Sequence, residues 1–136
     1  MAEAPKTILV VDDEPSDVEA VEEALRGHEY CVLTTADAEA ALRVHSRQGG
    51  HIDLLISDIA MSPLNGIVLA QKIREVQPDL QIIFVSGYVG EQWLQGQKAI
   101  EGARFLRKPL SAEILLDHIR ELLGSGASPE SARAAT

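Results

Sequence analysis

The sequence predicts an α/β fold of the (βα)5 kind: a doubly wound, five-stranded parallel sheet sandwiched between two layers of helices. Three observations carry this. Short, almost wholly apolar runs recur along the 136 residues, each followed by a segment whose apolar side chains have helical spacing. Five such units follow one another, and strands alternating with helices connect as parallel crossovers. The runs are apolar throughout, as expected of strands covered on both faces. Hydrophobic residues make up 46% of the chain, enough for one core, and 136 residues are too few for two ordinary domains.

Each element has its own signal. "TILVV" (7–11) is a β-branched apolar run and reads as the first strand. In "DDEPSDVEAVEEALRG", Pro15 fits a first helical turn, Val18, Val21 and Leu25 share a face, and Gly27 stops the helix. "YCVLTTA" (30–36) is the second strand. Asp37 then caps "DAEAALRVHSRQGG", which ends in a glycine pair. "DLLIS" (53–57) is the third strand, and "GIVLAQKIREVQPD" the third helix, closed by Pro78. "QIIFVSG" (81–87) is the fourth strand. The helix after it, "YVGEQWLQGQKAIEG" (88–102), is the weakest, because Gly96 in its interior costs about 1 kcal/mol against Ala. "ARFLRKP" (103–109) is the fifth strand, and "SAEILLDHIRELLG" the last helix, with Ser111 as cap and an apolar stripe of Ile114, Leu115, Ile119 and Leu122. Residues 1–5 read as an extension, 6–123 as the domain, and 124–136 as a disordered tail or linker without apolar period.

The net charge of −9 argues against a nucleic-acid-binding surface, which needs clustered Lys and Arg. Cys31 is the sole cysteine, so an intrachain disulfide is impossible and a Cys-based zinc site implausible. His28, His45, His51 and His118 lack metal-ligand spacing and read as surface or helix-end residues. "MAEAPKT" lacks the charged and apolar regions of a signal peptide, and no apolar run approaches membrane-spanning length. The expected location is cytoplasmic, with no membrane contact.

In a doubly wound sheet, ligands bind outside the carboxyl ends of the strands, near the point where strand order reverses. Asp12 and Asp13 follow the first strand, Asp58 the third, Ser86 ends the fourth, and Lys108 with Pro109 ends the fifth. Singly, each has an ordinary reading as a helix cap or a surface turn. Jointly they aim three carboxylates, a hydroxyl and an ammonium at one rim. Three carboxylates close together repel, so such a site needs a cation. Oxygen-only ligands suit Mg²⁺, which often binds through one or two carboxylates plus a phosphate. Asp58 would then be the nucleophile forming an acyl phosphate, with Lys108 and Ser86 on phosphoryl oxygens.

The motifs "ILVVDDEP", "DLLISDIAM…NG", "FVSGY" and "FLRKPL" resemble, in order and spacing, the receiver domain of bacterial response regulators over roughly residues 6 to 123. The resemblance implies a flavodoxin-like receiver fold with Asp58 as phosphoacceptor. It implies Asp13 and Asp58 as direct Mg²⁺ ligands, Asp12 supporting the metal mainly through water, and the backbone carbonyl of Ala60 as a third protein ligand. Ser86 matches the family's hydroxyl switch, Lys108 its lysine, and Phe105 its aromatic switch; alone, Phe105 would read as a plain core aromatic. The implied donor is a histidine kinase or phosphotransfer protein. The implied response is a changed surface over the fourth helix, fifth strand and last helix, read by an output protein or domain, with homodimerisation on phosphorylation a family habit. Trp93 reads either as a packed anchor or as an exposed aromatic on that face, the second being preferred because Gly90 and Gly96 leave the helix loosely specified. By the same resemblance the chain is no enzyme in the ordinary sense, only catalysing its own phosphotransfer and slow autodephosphorylation.

Some positions depart from the family pattern. Met61 is followed by Ser62 and only then by Pro63, which displaces the proline by one and puts the loop conformation in question, while Gly66 keeps its distance from Asp58. The resemblance makes the positions of Ala60 and Tyr88 tuners of dephosphorylation; Ala60 cannot hydrogen-bond the attacking water and Tyr88 is bulky, so an altered phosphate lifetime is expected. A phosphatase with an aspartyl-phosphate intermediate would need a second acid where Ala60 stands. A flavodoxin-like cofactor binder would need a phosphate-cradling loop after the first strand, which is missing. A pseudo-receiver would not need the full set of acids, hydroxyl and lysine. No output-domain motif follows residue 123.

Overall fold

A computed structural model describes residues 5–61, 65–87 and 100–124. Five strands form one sheet: β1 (Lys6–Val11), β2 (Tyr30–Thr35), β3 (Leu54–Asp58), β4 (Gln81–Ser86) and β5 (Arg104–Arg107). The helices are α1 (Pro15–Leu25), α2 (Ala38–Arg47), α3 (Gly66–Val76) and α4 (Ala112–Leu123). All neighbouring strands pair in parallel, in the order β2-β1-β3-β4-β5. The chain steps from β1 out to β2, then returns to the other side of β1 with β3. The crevice where strand order reverses therefore opens between the carboxyl ends of β1 and β3.

The strand parity builds two cores. Leu9, Val11, Leu55, Ile82 and Phe84 point to one face, where they pack with Ala38 and Ala41 of α2 and Ile67, Ala70 and Ile73 of α3. Ile8, Val10, Leu54, Ile56, Ile83 and Val85 point to the other, against Val21 and Leu25 of α1 and Leu115 and Ile119 of α4. Both faces of β3 and most of β4 are thus buried, which is why these strands read as unbroken apolar runs. The edge strand β2 has no fully buried residue: Cys31 and Thr34 are exposed and the other four are partly buried. Asp37 and Ser111 cap their helices as the sequence signals, accepting from the backbone N–H groups of Ala40 and Ile114, and Asn65 does the same for α3 by accepting from Val68.

Several expectations shift. β3 runs one residue later than expected and ends on Asp58, because Asp58 itself pairs with Val85 in the ladder. β2 and β4 each stop one residue short, at Thr35 and Ser86. β5 is shorter than 103–109: Pro109 has no N–H to continue the pairing, so Lys108 lies just beyond the strand. Of the helix expected over 88–102, residues 88–99, with Tyr88 and Trp93, lie outside the described residues, while Ile100 accepts from the Ala103 N–H in a turn. Ser62, Pro63 and the tail after Gly124 also lie outside them. Ile114 does not join the core stripe. It is 52% exposed, one residue round the helix from the row of Leu115, Ile119 and Leu122. His45, at the end of α2, is buried rather than superficial, with its Nε2 3.0 Å from Gln77 Oε1.

Candidate functional site

The crevice between β1 and β3 gathers the acids. Asp12 and Asp13 leave β1 as it turns into α1, and Asp58 closes β3. Each offers a carboxylate oxygen, and the three oxygens lie within 4.8 Å of one another. Asp12 and Asp58 are buried, whereas Asp13 is exposed. The orientation of Asp12 is fixed at both ends: its Oδ1 accepts from the Glu14 N–H at 3.0 Å, and its own N–H donates to the Thr35 carbonyl at 3.2 Å. The first of these bonds occupies the start of α1, where Glu14 provides no side-chain cap and Pro15 takes the first helical position.

Asp58 is held from two sides. The Ile59 N–H continues the ladder to the Val85 carbonyl, and the Ser57 hydroxyl donates to the Asp58 carbonyl at 2.8 Å. On the far side Gly66 begins α3 with its backbone pressed against the same peptide. A Cβ placed there would lie 2.1 Å from the Asp58 carbonyl oxygen. Only glycine permits this approach.

Lys108 reaches into the acids from the loop after β5. Its Nζ lies 2.9 Å from Asp12 Oδ2, 3.6 Å from Asp58 Oδ2 and 2.7 Å from Asp17 Oδ2 on the first turn of α1. Its backbone N–H is tied to the Ser86 carbonyl at 2.7 Å. The Ser86 side chain is buried, and its hydroxyl donates to the Gly87 carbonyl at 2.9 Å. Phe105 pairs in register with Phe84 and sits half-buried against the core on the α2–α3 face. Ala60 is exposed beside Asp58, and its backbone N–H bonds to the Asp58 carboxylate.

The electrostatics follow from burial. Desolvation raises the Asp58 carboxyl above its ordinary range, opposed by the Lys108 ammonium and reinforced by Asp12 and Asp13. Desolvation likewise raises Asp12, against the Glu14 N–H and Lys108. Burial also works against the Lys108 charge, but the hydrogen bonds to Asp17 and Asp12 overcome it and leave the ammonium harder to deprotonate than usual. Among the described residues, Asp12, Asp17 and Asp58 pair with the single ammonium of Lys108 while Asp13 stands beside Asp12 and Asp58, so negative charge is in excess there. Hard oxygen donors converging from two strands fit a divalent cation of the Mg²⁺ type.

The structure thus brings together Asp12, Asp13, Asp58 and Lys108, with Ser86 and Ala60 at the same rim. Phe105 packs half-buried against the core on the α2–α3 face, and Tyr88 falls outside the described residues. Asp17 escaped the sequence reading because an acid in a first helical turn is adequately explained by the helix dipole. Gly66 was noticed for its spacing from Asp58, but not for the close contact it makes.

A parallel five-stranded sheet with this strand order and an acidic cluster at its switch point defines the receiver class of α/β domains. The profile of the response regulator receiver domain matches residues 8–120, and the chain belongs to that family. Among curated relatives, the sensor kinase CckA of Brucella abortus (strain 2308) is 32% identical over 117 residues, covering 86% of this chain and 12% of the kinase. The DNA-binding transcriptional regulator NtrC of Azospirillum brasilense is 35% identical over 128 residues, covering 90% of this chain and 25% of the regulator. The chain therefore spans a quarter or less of either relative. Among solved structures, the receiver domain from the hybrid histidine kinase CckA superposes with a TM-score of 0.72 at 32% identity, covering 86% of this chain and 98% of that one. A response regulator receiver protein from Sinorhizobium medicae WSM419 gives 0.78 at 25% identity, covering 90% and 97%. No helix among the described residues is long and apolar enough to cross a membrane.

Proposed function

We propose that this receiver domain takes a phosphoryl group onto Asp58 from a histidine kinase or phosphotransfer protein, and that the acyl phosphate changes the surface read by an output partner. The observation that carries this reading is the convergence of Asp12, Asp13 and Asp58 within 4.8 Å, with the Lys108 ammonium among them. Asp58 Oδ attacks phosphorus in line. The bond from phosphorus to the donor imidazole breaks, and the imidazole leaves with its electron pair and takes a proton from solvent. Asp13 and Asp58 would hold Mg²⁺ directly, with the Ala60 carbonyl as a further ligand and Asp12 acting through water. When bound, the ion supplies positive charge against the phosphoryl oxygens. Lys108 pairs with one of those oxygens. The Ser86 hydroxyl donates to another after turning from the Gly87 carbonyl, and Phe105 follows as the surface rearranges.

Hydrolysis reverses the bond: water attacks phosphorus, the phosphorus–Asp58 bond breaks, and the carboxylate is restored. The Ala60 side chain has no group to orient that water, and Tyr88 is assigned the same tuning role, so the pair sets the phosphate lifetime. The domain acts on itself rather than on a released product. Cytoplasmic placement accords with donors of this kind, and dimerisation on phosphorylation is one route by which the changed surface is read.

Intact-protein mass after incubation with acetyl phosphate tests this, with and without Mg²⁺ and beside Asp58→Ala. A single added phosphoryl group that needs both Mg²⁺ and Asp58 supports the reading. An adduct that survives Asp58→Ala refutes the assigned acceptor. If neither acetyl phosphate nor beryllofluoride, a stable phosphoryl mimic, binds the domain, the switch itself is refuted.

A further inference from the structure

The tightest partner of Lys108 is not a member of the acidic cluster. Asp17 Oδ2 lies 2.7 Å from Nζ, against 2.9 Å for Asp12 and 3.6 Å for Asp58. An ammonium has three donors, and two are used by Asp17 and Asp12 at hydrogen-bonding distance. The third faces Asp58 at a separation too long for a hydrogen bond. The pair joins residues 91 positions apart, and both side chains are partly shielded, Lys108 20% and Asp17 32% exposed. Asp17 therefore does more than complement the dipole of α1.

We propose that Asp17 is a positioning residue that restrains Lys108, holding its ammonium on the α1 side of the site while Asp58 is unmodified. The inference rests on the switch reading above. Lys108 has its backbone fixed to the Ser86 carbonyl, so its redistribution is a side-chain motion. When a phosphoryl group arrives on Asp58, Lys108 exchanges the Asp17 carboxylate for a phosphoryl oxygen. The Asp17 bond exists only in the resting state, so it biases the equilibrium against the switched state by what it contributes at rest. Removing it loosens the resting arrangement and leaves the phosphorylated one intact. Lys108 keeps Asp12 and Asp58 as partners, so no charge is stranded.

The test is calorimetric titration of the Mg²⁺-loaded protein with beryllofluoride, comparing wild type, Asp17→Asn and Glu19→Gln. Glu19 is an exposed acid of the same helix that lines the cleft beside Asp12 and Asp13 without touching Lys108. A partly shielded ion pair of this kind corresponds to about a 3- to 10-fold gain in affinity on Asp17→Asn. Glu19→Gln should stay within about twofold of wild type, since an exposed charge that forms no ion pair with Lys108 is largely screened by solvent. Asp17→Ser, which also suits a helix start, should reproduce the gain. Equal or weaker binding by both Asp17 variants overturns the proposal. So does an equal gain in Glu19→Gln, which would assign the effect to net charge alone. In the crystal structure of Asp17→Asn, Lys108 Nζ should come within hydrogen-bonding distance of Asp58, and an unmoved Nζ likewise refutes the restraint. If wild type itself binds no beryllofluoride, the switch reading fails instead, and the two failures are told apart.

Discussion

Gly66→Ala is the smallest substitution that tests how the fold positions the phosphoacceptor. The added methyl would sit 2.1 Å from the Asp58 carbonyl oxygen, 2.8 Å from the Ser57 hydroxyl oxygen and 3.0 Å from the Asp58 carbonyl carbon. Ordinary contacts begin near 3.4 Å, so either α3 or the Asp58 peptide must move by more than an ångström. Neither can do so freely: the Gly66 N–H donates to the Ile59 carbonyl at 2.9 Å, and Ile67, Ala70 and Ile73 anchor α3 in the core. Gly66 has no positive φ, so the backbone suits alanine and the cost is steric. Overpacking of this kind costs about 2–3 kcal/mol. That corresponds to a melting temperature lower by about 10 °C for a domain of this size. Displacing Asp58 should also slow phosphorylation by acetyl phosphate by ten- to a hundred-fold, roughly what an ångström of misplacement costs. Thermal melts and intact-protein mass read the two effects, with Gly87→Ala as control, because nothing lies within 4 Å of a Cβ there. Melting within about 2 °C of wild type would mean that α3 does not press on the Asp58 peptide, since a clash at these distances cannot be absorbed without strain.

Two further predictions concern stability. Gln77 is buried; its Nε2 donates to the Ile52 carbonyl at 2.7 Å, and its Oε1 accepts from the Ile52 N–H and pairs with His45 Nε2, each at 3.0 Å. Gln77→Leu keeps the volume but removes all three bonds, and urea titration should show a loss of about 3 kcal/mol, whereas less than 1 kcal/mol would mean that water replaces the amide. The second concerns pH in the metal-free protein. Burial raises Asp58 and Asp12, so the folded state binds protons more tightly than the unfolded state. Their contribution to stability is present below the ordinary carboxylate range, about pH 4, and declines as pH rises through the raised folded values. Asp58→Asn should therefore gain on wild type in EDTA between pH 4 and pH 7, and a gap that narrows instead would reverse the sign argued here.

The fold was legible because each strand carried its own signal. β3 and β4 are buried on both faces, so their composition alone marks them, and Asp37 and Ser111 announce the helices they cap. Asp12, Asp13, Asp58, Ser86 and Lys108 could be gathered in advance because the topology of a doubly wound sheet sends strand ends to one rim. What stayed hidden depends on pairwise contact. Asp17 looks like any acid at a helix start until Lys108, 91 residues away, is placed beside it. The role of Gly66 appears only when α3 is docked on β3. His45 and Gln77 are polar residues near helix ends, and nothing in their local pattern says that they meet in the interior over Ile52. Ile114 failed in the other direction: apolar and next to the stripe, it belongs to the exposed face because one residue turns a helix by 100°.

The charge balance of the site links these observations. Asp12 and Asp58 are buried acids whose ionised forms burial penalises, and the ammonium paired with them among the described residues, Lys108, is largely committed to Asp12 and Asp17. Adding a phosphoryl group to Asp58 exchanges a single negative charge for nearly two in the same crevice. Among the described residues, the Lys108 ammonium is the cation paired with these acids, and it is already engaged before that increase. Two sources remain on the proposed reading: a divalent cation on the exposed side, where Asp13 stands, and release of Lys108 from Asp17. A requirement for Mg²⁺ and a restraint on Lys108 are therefore two consequences of one deficit. Because both act at the phosphoacceptor, weakening the restraint should lower the demand for metal. In the Asp17→Asn variant, phosphorylation by acetyl phosphate should reach half its maximal rate at a lower Mg²⁺ concentration than in wild type.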